Sequence, residues 1–179
     1  KRGQAQYSML LNEAGGVIDD IYIYQRGVDL FFLIVNAANR AKDFAWIASH
    51  LPDTTSLKDV SDETALLALQ GPKSWDVLLQ TIPFGMEEIA LRTFIDTEFV
   101  AVRGAMATIA RTGYTGERGY EIIVPAHAVE RVWNSLMEAG GPLGIKPAGL
   151  GARDTLRLEK GYPLYGHEIA NVTRLVQLN

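Results

Sequence analysis

The 179-residue sequence contains no cysteine. Disulfides, thiol nucleophiles and cysteine-ligated metals are thereby excluded from its chemistry. Histidine is scarce as well. His50, His127 and His167 lie far apart, and none falls in a ligand spacing such as H-E-x-x-H, so no metal is expected. The chain also lacks a basic excess: its formal charge of -4 argues against a nucleic-acid partner, which would demand a positive stripe. No apolar run approaches the ~18 residues that span a bilayer, so no membrane partner is expected. What remains is an ordinary balance, 47% hydrophobic and 21% charged, typical of a soluble globular protein with a real core. The length suffices for one large domain or two small lobes, and a cytoplasmic enzyme is the default expectation.

Hydrophobic patterning divides the chain. "AQYSMLL" and "VIDDIYIYQ" are separated by "NEAGG", polar residues and paired glycines that signal a hairpin. "VDLFFLIV" predicts a third strand. "NAANRAKDFAWIASHL" then changes period, placing Phe44, Ile47 and Leu51 at helical spacing with Ala37 and Ala41 on the same side, before Pro52 ends it. This predicts a first α+β lobe over residues 1–60. A second, over 61–169, follows from "SDETALLALQGP", a short helix with Trp75, Leu78, Leu79 and Ile82 on one side, a hairpin turning at "RG", and the strand "GYEIIVP". Its clearest helix carries Val129, Val132, Trp133, Leu136 and Met137 as an apolar stripe, and "ARDTLRLEKG" predicts a last one. Neighbouring strands mixed with helices, without regular βαβ alternation, favour α+β with mainly antiparallel sheets. Residues 170–179 read as a truncated or disconnected continuation, and the chain as part of a longer one.

Three stretches are candidates for chemistry. In "GGVIDDIYIYQ", strand alternation groups Asp19 with Val17, Ile21 and Ile23, and Asp20 with Ile18, Tyr22 and Tyr24. Either one aspartate caps the turn while the other is solvated, or a carboxylate sits in a Tyr-lined pocket where it attracts positive charge or takes a proton. Periodicity does not choose between Asp19 and Asp20. "ARTGYTGERGYEI" spaces Gly113, Gly116 and Gly119 around Tyr114, which suits a hairpin or a loop lying against a flat ligand. Glu121, between Tyr120 and Ile122 in an apolar strand, needs a donor, and a heterocycle with an amino group beside a ring N–H would supply two. In "PAGLGARDTLRLEKGYPLYGHE" a glycine-rich turn feeds a helix on which Arg153 and Arg157 share a face. A local Arg–Asp pair competes there with an inward Arg153 gripping a polar or anionic ligand. Asn36 fits a helix N-cap, and Tyr7 fits the core.

Taken in order, "GQAQYSMLLNEAGGVIDDIYIY", "VNAANRAKDFAWI", "ALLALQGP", "RTGYTGERGYEI" and "GLGARDTLRLEKGYPLYGHE" resemble the aminomethyltransferase family, the T-protein of the glycine cleavage system. The resemblance covers about Gly3 to Glu168. It implies two lobes of a three-domain folate-binding cloverleaf whose C-terminal barrel domain is absent from this sequence. It further implies tetrahydrofolate as co-substrate and the lipoylated H-protein as partner, in the cytoplasm or, in a eukaryote, the mitochondrial matrix. By motif, Asp20 matches the catalytic carboxylate, and Tyr7, Asn36, Tyr114, Glu121 and Arg153 match residues lining the folate pocket. At "ALRTF" relatives often carry an aromatic where this chain has Leu91 and Arg92. The competing expectations are a folate-binding domain of a dimethylglycine or sarcosine oxidase or demethylase, a non-catalytic folate-binding relative, and a fragment with no activity of its own.

Overall fold

The computed structural model describes residues 2–83, 85–100, 102–170 and 173. Its backbone groups into two units, residues 1–59 with 163–179, and residues 60–162. Residues 163–170 thus cluster with the N-terminal segment. Most of the continuation expected over 170–179 lies outside the described residues. All pairings within the two sheets are antiparallel, as the patterning predicts, and the class is α+β.

The first unit is a three-stranded sheet, β1 (Ala5–Leu11), β2 (Val17–Gln25) and β3 (Phe31–Ile34), in that order. The β1–β2 turn is held by Asn12, whose Oδ1 accepts from the backbone N–H groups of Ala14 and Gly16, at 3.0 and 2.8 Å. Gly15 supplies the positive φ of 78° that this turn needs. β3 begins three residues later than the apolar run suggests. The N–H groups of Arg26 and Gly27 both donate to Leu30 O, so residues 26–30 close a turn that leaves Val28 and Leu30 exposed. A short 3₁₀ turn, Ala37–Asn39, then leads into α1 (Arg40–His50). Here the expected apolar stripe is corrected: the one buried residue on α1 is Asp43, whereas Phe44 is 38% exposed. Polar positions 36, 39 and 43 recur at helical spacing, and the hydrogen bonds of Asn36 and Asn39 to Asp19 turn that side inward.

The second unit is a four-stranded sheet of β4 (Thr64–Gln70), β5 (Phe94–Glu98), β6 (Met106–Ala110) and β7 (Gly119–Pro125), ordered β4-β7-β6-β5. Two helices, α2 (Ser74–Leu78) and α3 (Val129–Gly140), contribute to its core. Trp75, Leu78, Ile109, Tyr120, Ile122, Val132 and Leu136 form this core, with the Trp75 and Tyr120 rings 5.5 Å apart. Fully burying a side chain such as Ile122 contributes about 1.5–3 kcal/mol. Two residues of the expected stripes lie outward, Leu79 at 39% and Trp133 at 42% exposed. Last comes α4 (Leu150–Lys160), closed by Gly161 in the left-handed region.

Candidate functional site

Asp19 and Asp20 follow the hairpin turn on β2, opposite Leu10 and Met9 of β1. Asp19 is completely buried; Asp20 is half-buried. Neither alternative of a turn cap or a solvated strand end holds. Asp19 accepts three N–H donors: the Asn36 backbone at 3.0 Å, Asn36 Nδ2 at 2.9 Å and Asn39 Nδ2 at 2.7 Å. Asp20 accepts from Asn36 Nδ2 on one oxygen, at 2.8 Å, and from the Tyr7 hydroxyl on the other, at 3.2 Å. Asn36 is therefore no side-chain cap, because its amide is spent on both carboxylates. Tyr7 reaches Asp20 because it pairs with Tyr22 across the strands, its ring 5.6 Å from Tyr22's, and it is 39% exposed rather than core. Burial pushes the Asp20 carboxyl above its ordinary value and the Asp19 charge adds to this, while the hydrogen bonds from Asn36 and Tyr7 oppose both. Three of the six candidate residues thus meet in the first unit, around the Asp20 carboxyl.

The other three lie in the second unit. Glu121 sits on β7 between Ala68 of β4 and Ala110 of β6. The buried Thr112 hydroxyl donates to it at 2.5 Å. Burial raises the Glu121 carboxyl, opposed by that hydroxyl and by the Arg153 charge. Arg153 itself is exposed, with its guanidinium 4.8 Å from the centre of the Tyr114 ring. The expectation of an inward Arg153 is corrected here: the buried arginine of α4 is Arg157, which pairs with Asp154 at 2.7 Å and donates to Tyr162 O. Tyr114 stacks on Tyr162, 5.8 Å between centroids and 20° between planes. The glycine loop is fixed from beneath by Gln70. Its Nε2 donates to Tyr120 O at 3.2 Å and to Thr112 O at 3.4 Å, and its Oε1 accepts from Thr115. A Cβ on Gly113 or Gly119 would fall 2.1 or 2.0 Å from that Oε1. Both glycines therefore make room for one amide, and the loop presents Tyr114 beside Arg153.

Sequence reading missed Asn39, Asp43 and Gln70. The first two carried a signal in the polar spacing 36, 39, 43; Gln70 carried none, because its role depends on glycines more than forty residues away. Lys42 was missed too. It donates to Ile18 O at 2.5 Å and to the Tyr165 hydroxyl at 3.0 Å, with its ammonium 4.3 Å from that ring's centre. Together with Asn12, Ile18, Ala45, Trp46 and Ser49, these two residues line a recess of about 480 Å³ that includes none of the six candidates. Among the described residues no group of three or more acidic or histidine side chains is placed to hold a metal ion. No helix among them is long and apolar enough to cross a membrane.

Comparison with known proteins gives this geometry a context. The family model of the GCVT N-terminal domain matches residues 1–179. An aminomethyltransferase of Chlorobaculum tepidum is 51% identical over 170 residues, covering 93% of this chain and 46% of the relative. One from Geobacillus kaustophilus is 46% identical over 169 residues, with 94% and 46% coverage. The crystal structure of glycine cleavage system aminomethyltransferase T from Bartonella henselae is similar with a TM-score of 0.80 at 32% identity, covering 97% of this chain and 45% of that one. The chain spans about half the length of the curated relatives it matches. With the carboxylate pair on β2, the glycine loop before β7 and a match along its whole length, this chain belongs to the GCVT N-terminal domain family.

Proposed function

We propose that this chain is the substrate-handling portion of a glycine-cleavage aminomethyltransferase. The reaction moves a methylene carbon from the aminomethyl-lipoyl arm of H-protein to tetrahydrofolate. A folate nitrogen attacks the methylene carbon, ammonia leaves, and methylene-tetrahydrofolate and the reduced lipoyl arm are the products. The observation that carries this reading is Asp20, held between the Tyr7 hydroxyl and the Asn36 amide yet still half-exposed. Asp19 cannot serve, since it is fully buried and already held by three backbone and amide N–H groups. Asp20 would orient the attacking nitrogen and stabilise positive charge developing at the transferred carbon. Holding the reactants in line supplies several kcal/mol more. The residues fit a pterin: a half-buried Glu121 carboxylate suits an amino group beside a ring N–H, and Tyr114 offers an aromatic face. The names of the similar curated proteins support this reading over an oxidase-associated or non-catalytic folate domain.

The test is methylene-tetrahydrofolate formation from aminomethyl-lipoyl H-protein by the full-length protein. Asp20→Asn should lower turnover by about a hundredfold or more, as loss of an electrostatic stabiliser does. Its tetrahydrofolate affinity should stay within about threefold of wild type, because the neutral amide keeps the shape of the site. Wild-type turnover in this variant would remove Asp20 from the chemistry.

A further inference from the structure

Asp43 is a carboxyl on α1 with no exposure at all. Among the described residues neither of its oxygens takes a hydrogen bond from an N–H or O–H donor. An ionised carboxylate in that position would be uncompensated, a situation natural structures rarely keep. Lys42, next to it on the helix, acts on its charge but makes no hydrogen bond to it, its ammonium donating instead to Ile18 O and the Tyr165 hydroxyl. Asp19, another fully buried carboxyl, acts on it most strongly, and Asn39, one helical turn before Asp43, holds Asp19 at 2.7 Å. Two carboxyls can face one another in a closed space only if a proton lies between them.

We propose that Asp43 is a positioning residue that remains a carboxylic acid and donates its hydrogen to Asp19, so that the chain Asp43–Asp19–Asn36–Asp20 fixes the reactive carboxylate. The links after the first are visible: Asn36 Nδ2 bridges Asp19 Oδ1 and Asp20 Oδ1 at 2.9 and 2.8 Å, and Asn39 holds Asp19 from α1's side. An Asp43 carboxylate would repel Asp19 and pull it off the Asn36 amide, and the amide would then lose its alignment on Asp20. Asp20 would lose the Asn36 side of its support while keeping its Tyr7 contact. The charged groups acting on Asp43 are Asp19 and Asp20 from β2 and Lys42 from its own helix. Burial and the two aspartates outweigh the lysine and push Asp43 up to about 8. The role of Asp20 in this chain rests on the function proposed above; the location of the proton does not.

The experiment uses the full-length protein in three forms: wild type, Asp43→Asn, which still donates a hydrogen bond but cannot ionise, and Asp43→Ala, which does neither. The wild-type minus Asp43→Asn difference spectrum at neutral pH should show the infrared carbonyl band of a protonated carboxylic acid, present in wild type and lost in the variant. Turnover of wild type should fall as pH rises through about 8. Asp43→Asn should keep kcat within about threefold at neutral pH and lose that alkaline limb, while Asp43→Ala should lose about tenfold in kcat with a smaller change in KM for tetrahydrofolate. Absence of the band from wild type overturns the proposal, and so does an Asp43→Ala enzyme with wild-type kcat and pH profile. If the band is present but Asp20→Asn is fully active, the catalytic reading of Asp20 fails and the shared proton stands.

Discussion

A glutamate in a β-strand flanked by Tyr120 and Ile122 has to justify its desolvation, and among the described residues Glu121 receives a side-chain hydrogen bond from Thr112. One hydroxyl uses one of its acceptor positions; a carboxylate has about four. The remaining capacity, with Arg153 close enough to favour the ionised form, is what an amino-heterocycle would use. Glu121→Gln preserves volume but turns one acceptor oxygen into a donor and deletes the charge. Hydrogen bonds to a charged group contribute roughly 1.5–3 kcal/mol each, so tetrahydrofolate affinity should fall about tenfold or more. Turnover at saturating folate should change far less, since Glu121 is assigned to binding and Asp20 to chemistry. Titration of the full-length variant with tetrahydrofolate checks this; unchanged affinity would take Glu121 out of the pterin site.

At the level of elements, the glycine loop before β7 shows how a local sequence can depend on a distant one. Gln70 ends β4, and the three atoms nearest a Cβ at Gly113 or Gly119 all belong to its side-chain amide. Gly119→Ala should therefore expel that amide, forfeit its hydrogen bonds to Thr112 O and Tyr120 O, and cost roughly 1–2 kcal/mol. In a Gln70→Ala background the same substitution should be nearly neutral, because the obstacle is gone. Additive losses in urea titrations of the single and double variants would contradict this account. The strands on either side were legible as apolar runs bounded by turn residues, and the hairpin turns from their glycines. The helix α1 was legible in existence but not in orientation: the apolar positions 44, 47 and 51 suggested one inward face, and the polar positions 36, 39 and 43 won it. Periodicity ranks faces by hydrophobicity, and it has no means of valuing a set of amides and carboxyls that satisfy one another. The same limit explains the site. Strand alternation placed Asp19 and Asp20 on opposite faces without choosing between them; the choice came from Asn36 and Tyr7, whose reach depends on strand register. Arg153 and Arg157 were likewise separable only once Asp154 and the Tyr162 carbonyl had taken Arg157.

Across the molecule, the buried acids set how stability responds to pH. Asp20, Asp43 and Glu121 are all raised by burial, so the folded chain holds protons that the unfolded chain gives up from about its ordinary values of 3.8 and 4.5 upward. Where the native state binds more protons than the unfolded one, stability falls as pH rises. For Asp43 the loss begins near 3.8 and is complete above about 8. Glu88 acts in the opposite sense and in a different window. Burial pushes it up, but Arg118, the Tyr120 hydroxyl and Arg111 outweigh this and hold it below its ordinary 4.5, so its contribution is lost only in more acidic solution. The contribution of the three buried acids therefore declines as pH rises, whereas that of Glu88 is lost as pH falls. The decline can be assigned to its source because asparagine cannot ionise. In thermal or urea unfolding of the full-length protein, the midpoint of wild type should fall between about pH 5 and pH 8, and that of Asp43→Asn should fall less, the difference in slope counting the proton on Asp43. Equal slopes would mean that Asp43 is as ionised in the folded state as in the unfolded one, and the hydrogen bond to Asp19 could not then exist.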